Sequence, residues 1–214
     1  MDALILAAGF GSRMNELTKD IPKPLLKIKK NTLLEYAIKI TERVTLNNIF
    51  INSHYLADQL RNYIEHHFPH IKISYEENIL GTGGGIKKVQ TDDILVINTD
   101  NLWNLNFTKE INEGIKFFHQ YKEIENLLFT RSQGNRPDVE ILDKQLIQFP
   151  SDHPNTQFQG CHIVRKGALS LYPLIFNIQD YWKNASLNNS LYGFETSTIN
   201  PHVGTKDLYL QYLK

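Results

Sequence analysis

Leu4-Ile5-Leu6-Ala7-Ala8-Gly9-Phe10-Gly11-Ser12-Arg13-Met14, closed by Ile21-Pro22-Lys23-Pro24-Leu25, is the stretch that decides how this chain is read. A short apolar run between turn signals predicts a buried strand. Two alanines and two glycines follow it, so the backbone beyond the strand carries little side-chain bulk. Glycine permits the positive φ angles that turn successive N–H groups toward one point, a cradle for a phosphate chain. Arg13 adds a planar cationic fork suited to phosphate oxygens. Lys23 lies between two prolines, which restrict the loop that carries it and hold its backbone extended. The loop is not a P-loop, because no Gly-Lys-Ser/Thr closes it. It is not the dinucleotide fingerprint either, since the third glycine would fall at Met14.

Outward from that stretch, strands and helices alternate. Thr32 and Glu35 have capping-box spacing, and the apolar residues that follow predict a helix over 32–44. Strands are predicted at 49–51, 71–75, 94–97 and 127–129, with helices over 55–68 and 107–121. The alternation argues for a parallel sheet covered on both faces. Further on, strands are predicted near 138–142, 146–149, 158–164 and 191–198, and helices near 167–172, 178–185 and 205–213. No linker, repeat or low-complexity segment divides the chain, so one domain is expected over 1–214.

Composition bounds the function. Lys+Arg and Asp+Glu are 23 each, so no global field draws the chain to nucleic acid or an anionic membrane. No apolar run approaches spanning length, and the N-terminus lacks a secretory pattern. The single cysteine, Cys161, fits a reducing, cytoplasmic setting.

Two further segments carry chemistry. Asn98-Thr99-Asp100 follows the strand at 94–97, and ligands in open α/β sheets sit beyond the carboxyl ends of strands. A carboxylate there can hold Mg²⁺ against phosphate oxygens, or simply cap the next turn. Leu80-Gly81-Thr82-Gly83-Gly84-Gly85 is a second glycine loop. Three consecutive glycines exceed what a turn needs, so a ligand is expected against bare backbone, with a helix starting near Gly85. Asn52 and His54 sit at the end of the second strand, Asn52 as a base contact or a support for a neighbouring loop.

The N-terminal pattern Leu-Ala-Ala-Gly-x-Gly-x-Arg-Met, followed by Leu17-Thr18 and Pro22-Lys23-Pro24-Leu25, resembles the signature of the sugar-phosphate nucleotidyltransferases. Thr82-Gly83-Gly84-Gly85 is similar to the branch holding N-acetylmuramate-1-phosphate uridylyltransferases and some mannose-1-phosphate guanylyltransferases. The resemblance implies a Rossmann-like three-layer α/β/α fold with a mostly parallel central sheet. It implies residues 1–105 for the nucleotide and 106–214 mainly for the sugar phosphate. It also implies Mg²⁺ as cofactor, an NTP and a sugar 1-phosphate as partners, and a monomer or small homo-oligomer. On that basis Arg13, Lys23 and Asp100 are the expected catalytic residues. Leu6, Ala7, Ala8, Gly9, Gly11, Ser12, Arg13, Asn52, Gly83 and Gly84 are expected at the nucleotide. Lys23, Gly84, Asp138 and Glu140 are expected at the sugar phosphate. Asp100 and His202 are the metal candidates. The family's Trp-x-Asp-Val/Ile-Gly-Thr is here Asn200-Pro201-His202-Val203-Gly204-Thr205, so His202 replaces a carboxylate, and His is a poor match for Mg²⁺. The Glu-Lys-Pro motif of many thymidylyltransferases is absent. The expected activity is UTP with N-acetylmuramate 1-phosphate or a similar sugar. Mannose-1-phosphate guanylyl transfer, a choline-phosphate-type cytidylyltransferase, and a non-catalytic nucleotide sensor are the alternatives.

Overall fold

The computed structural model describes residues 1–213. Its centre is a seven-stranded sheet built from β1 (Asp2–Leu6), β2 (Ile49–Ser53), β3 (Lys72–Tyr75), β4 (Ile94–Asn98), β5 (Asn126–Arg131), β6 (Gln157–Val164) and β7 (Leu191–Glu195). The spatial order is β7-β5-β6-β4-β1-β2-β3. All pairs are parallel except those of β6, which runs antiparallel to both β4 and β5. Two small hairpins, at 27–32 and 140–148, lie outside the sheet.

Alternation along the strands supplies two cores. Ala3, Ile5, Leu95, Ile97, Leu127 and Phe129 face one side, and Leu4, Ile94, Val96 and Leu128 the other. Helices α1 (Leu33–Thr41), α2 (Ala57–His67) and α4 (Phe107–Gln120) cover the first face; α3 (Gly81–Val89) and α5 (Ile178–Leu187) cover the second. The layers are therefore α/β/α. A third apolar cluster joins Met14, Leu26, Ile28 and Leu33 to Val203 and to Tyr209 on α6 (Lys206–Gln211), and the Tyr209 hydroxyl donates to Lys27 O at 2.7 Å. That cluster seats the C-terminal segment against the lysine loop. Among the described residues no helix is long and apolar enough to cross a membrane.

Local chemistry explains the element boundaries. The Thr32–Glu35 capping box forms in full, Thr32 Oγ1 accepting from Glu35 N and Glu35 Oε2 from Thr32 N. Helix α2 starts at Ala57 rather than Tyr55. Leu56 adopts φ 49°, and the Tyr55 hydroxyl reaches away to Thr18 O and Lys19 O. Helix α3 starts at Gly81, four residues before the expected Gly85. The helix expected at 167–172 does not form. Gly167 takes φ 83° there, and residues 170–176 run as a strap across α3, their carbonyls accepting from Lys87 and Gly84.

Candidate functional site

Strands β1, β2, β3 and β4 run in one direction, so their carboxyl ends share one edge. A cavity of about 420 Å³ opens there, within the usual size range of ligand pockets. Leu6, Ala7, Ala8, Gly9, Gly11, Ser12, Arg13, Lys23, Asn52 and Asp100 line it, all residues that the sequence points to. Phe10, Glu76, Ile79, Gly81, Thr82, Asn98, Thr99 and Asn177 complete much of the wall.

The loop after β1 is shaped by its glycines in two ways. Gly11 has φ 67°, and a Cβ on it would lie 3.0 Å from Thr18 Cγ2 and 3.1 Å from Lys23 Cβ. The bare residue thus lets the loop close against the lysine. Gly9 has ordinary φ, and nothing lies within 4 Å of where its Cβ would be; it leaves open space at the cavity. Lys23 is not held extended as the flanking prolines suggest. Pro22 is extended, but Lys23 opens a short 3-10 turn with Pro24 and Leu25.

Three groups converge on one oxygen of Asp100. Lys23 Nζ lies 2.9 Å from Oδ2, His202 Nε2 3.3 Å and Arg13 Nη2 3.8 Å. Burial alone would raise this carboxyl. The His202 contact and the Lys23 charge outweigh it and hold Asp100 well below the usual carboxylate range. The other oxygen, Oδ1, is buried with no hydrogen-bond partner. A buried acceptor without a donor fits a hard cation, which is itself an electron-pair acceptor. Among the described residues no three His, Cys, Asp or Glu side chains gather as a metal cage. Mg²⁺ does not need one, because it commonly takes one or two carboxylates with phosphate oxygens and water. His202 does not line the cavity directly; it stands behind Asp100, on the oxygen that Lys23 also uses.

Asn52 takes the second of its two expected parts. Its Oδ1 accepts from Ala7 N at 2.7 Å, and its Nδ2 donates to Glu76 Oε1 at 2.8 Å. Glu76 Oε2 accepts from Leu80 N at 2.9 Å. Asn52 is 4% and Glu76 1% exposed, so this chain ties the phosphate-side loop to the start of α3 in a dry environment. His54 does no more than hydrogen-bond Glu76 O through Nδ1 and meet Phe10 edge-on.

The glycine run of α3 has a different reason from the expected one. A Cβ on Gly83 would fall 2.4 Å from the Phe176 ring, on Gly84 2.0 Å from Leu174 O, and on Gly85 3.0 Å from both Asn52 Nδ2 and Glu76 Oε1. Gly83 and Gly84 are buried and face the strap, and Gly84 N already donates to Phe176 O. Gly81 and Thr82, one turn earlier, line the cavity. At Gly83 and Gly84 the bare backbone therefore serves helix-to-strap packing, and at Gly85 it leaves room for the Asn52–Glu76 contact.

Asp138 and Glu140 also stand outside the cavity wall. Asp138 Oδ1 accepts from Phe158 N at 2.7 Å, and Glu140 accepts from the Ser151 hydroxyl in the 140–148 hairpin region. Both carboxylates brace the irregular 131–158 segment.

A nucleotidyl transferase family model matches residues 2–151. The chain belongs to that family. It is 32% identical over 120 residues to the D-glycero-alpha-D-manno-heptose 1-phosphate guanylyltransferase of Campylobacter jejuni, a match covering 53% of this chain and 54% of that one. It is 24% identical over 222 residues to the enzyme of the same name from Aneurinibacillus thermoaerophilus, covering 98% and 95%. The N-acetylmuramate alpha-1-phosphate uridylyltransferase of Caulobacter vibrioides is 32% identical over 111 residues, covering 47% and 46%. The matches thus span about half the length of two of these relatives and nearly all of the third. Among solved structures, HddC from Yersinia pseudotuberculosis, complexed with GMP-PN, superposes with a TM-score of 0.76 at 20% identity, covering 99% and 97% of the two chains. That likeness speaks to the fold. These three relatives carry names of sugar-1-phosphate nucleotidyltransferases, the family that the N-terminal pattern resembles.

Within this nucleotidyltransferase the sequence left Glu76 and Asn177 unmarked, and held Thr82 and Asn98 in motifs without assigning them to the site, although all four line the cavity. Glu76 could have been found by the rule that points to Asn98-Thr99-Asp100: it sits just after the carboxyl end of a strand on the site edge. Nothing local marks Asn177, which arrives from a distant strap.

Proposed function

We propose that the chain joins an NTP to a sugar 1-phosphate, releasing pyrophosphate, with residues 1–105 holding most of the nucleotide. The observation that carries the reading is the Lys23–Asp100 pair at 2.9 Å beside an open glycine loop, with Arg13 at the rim. Both substrates are anions, so the work is positioning and neutralisation. A sugar-phosphate oxygen attacks the α-phosphorus in line, the bond to the bridging oxygen breaks, and pyrophosphate departs. The Lys23 ammonium has three donors. One stays on Asp100 Oδ2, and the others are free for phosphate oxygens. Arg13, with a side chain 65% exposed, is free to swing onto the triphosphate. Asp100 Oδ1 would hold Mg²⁺, which would supply positive charge to neutralise the phosphates. His202 keeps Asp100 in place from behind.

For the base, guanine is favoured. Glu76 is an acceptor-only carboxylate in the cavity wall, and two of its lone-pair sites are taken by Asn52 and Leu80. Guanine offers adjacent N–H donors to such a group; uracil offers one N–H flanked by two carbonyl oxygens. The two heptose 1-phosphate guanylyltransferases support the same choice. The uridylyl reading drew on the Thr82–Gly85 pattern, in which Gly83 and Gly84 pack against the strap, and it is supported by the Caulobacter relative. The test is pyrophosphate release with Mg²⁺, crossing GTP, UTP, CTP and dTTP with heptose, mannose and N-acetylmuramate 1-phosphates. Release with GTP and a manno-configured sugar is expected. Release confined to UTP and N-acetylmuramate 1-phosphate would overturn the base assignment. Silence with every pair, in a protein that still binds nucleotide, would favour a sensor.

A further inference from the structure

Asn177 is the N-cap residue of α5, and asparagine is among the best side chains for that place. Yet its carboxamide caps no N–H of the helix. It turns instead toward Gly81: Oδ1 lies 3.1 Å from where a Gly81 Cβ would stand. Gly81, with φ 74°, has no side chain to block the approach, and Asn177 lines the same cavity as Glu76 and Thr82.

The support beneath it is rigid. Phe176 N donates to Leu80 O at 3.0 Å, and Phe176 O accepts from Gly84 N at 3.2 Å. The Phe176 ring is 9% exposed and stacks on Tyr172 at 4.9 Å. Lys87 Nζ ties the strap at Ser170 O, 2.9 Å away. A side chain carried on the last residue of such a strap is placed by a distant part of the chain, not by loop motion. Its polar end is given up by its own helix and reaches the cavity wall beside Gly81.

We propose that Asn177 is a specificity-determining residue that hydrogen-bonds the nucleobase of the bound nucleotide, not its phosphates. The assignment rests on the nucleotidyl-transfer reading above. A carboxamide has two donors and two acceptor sites, so it can meet the mixed edge of a base beside the acceptor-only Glu76. Phosphate oxygens, by contrast, fall to the cationic Lys23 and Arg13 in that reading.

Titration of the full chain with GTP, UTP and tripolyphosphate, for wild type, Asn177→Ser and Asn177→Ala, tests this. Serine retains a good N-cap, so the melting temperature of Asn177→Ser should match wild type, whatever Asn177→Ala does. In both variants the Kd for the preferred nucleotide should rise about tenfold, the size of one lost hydrogen bond at a desolvated site. The ratio between GTP and UTP should narrow, and tripolyphosphate should bind as before. An unchanged nucleotide Kd in a wild type that binds nucleotide would overturn the proposal and leave the proposed function standing. Equal weakening for tripolyphosphate would also overturn it, since that is a loosened strap. A wild type that binds none of the three would overturn both.

Discussion

Gly84→Ala separates packing from ligand binding as the reason for the glycine run. Two effects oppose each other. In a helix interior, Ala is better than Gly by about 1 kcal/mol. Against it, the new Cβ would sit 2.0 Å from Leu174 O, a backbone atom that cannot rotate away. Relieving such overlap costs about 1–3 kcal/mol. Moving the strap also lengthens the Gly84 N to Phe176 O bond, adding about 1 kcal/mol. The clash wins, and a net loss of about 1–3 kcal/mol follows. For a chain of this size that is a fall of roughly 3–10 °C in Tm. The assay is thermal and urea unfolding without any ligand. Gly9→Ala is the control: nothing lies within 4 Å of its Cβ, so stability should stay within about 0.5 kcal/mol of wild type while nucleotide affinity falls. A Gly84→Ala protein more stable than wild type, impaired only in nucleotide binding, would refute the packing argument.

Three other outcomes are expected. His162 is buried beside Asn126 and Trp182, and burial pushes its imidazole down to about 3 from 6.5. The unfolded chain therefore binds a proton first as pH falls below about 6.5, and stability drops with it, by about 2 kcal/mol at pH 5 relative to pH 8; His162→Leu should lose that component of the pH slope in urea titrations. The low-lying Asp100 carboxyl acts in a separate window, its contribution present above the usual carboxylate range and lost as pH falls through and below it. Lys23→Met and Asp100→Asn should each lower kcat about 100- to 1000-fold with the far-UV CD spectrum unchanged, and a near-normal turnover number in either would sink the assignment. Asn52→Asp would set two carboxylates against each other across the present 2.8 Å contact with Glu76; it should destabilise by about 3 kcal/mol at pH 8 and by less at pH 4, where one of them is protonated.

The phosphate side of the site is legible because its residues are consecutive. Residues 6–13 are consecutive at the end of β1 and in the turn after it, and Lys23 and Asp100 each follow a recognisable local pattern. The sheet is legible for the same reason, as apolar runs between helical periodicities. What the sequence does not show has a physical cause in each case. A glycine run reads alike whether the thing lying on it is a ligand or another part of the chain, and here it is Leu174 and Phe176, about ninety residues away. The helix expected at 167–172 runs straight into Pro173, and carbonyls of the strap accept from α3 instead of continuing a helix. Tyr55 fits a helix by pattern and is pulled out of it by two carbonyls of the loop at 18–19. Asp138 and Glu140 are polar for the sake of their own segment.

The reversed strand β6 fixes an order of assembly. It enters between β4 and β5, both of which precede it in the chain. During synthesis, Ile94-Leu95-Val96-Ile97-Asn98 therefore has an open, uncharged edge until residue 164 has emerged. Such an edge is a template for pairing with other chains. A fragment ending at residue 151 would keep the phosphate loop, Lys23 and Asp100 and still lack the strand that seals its own centre. Such a fragment is expected to aggregate on expression, even though it carries the glycine loop, Lys23 and Asp100 of the cavity.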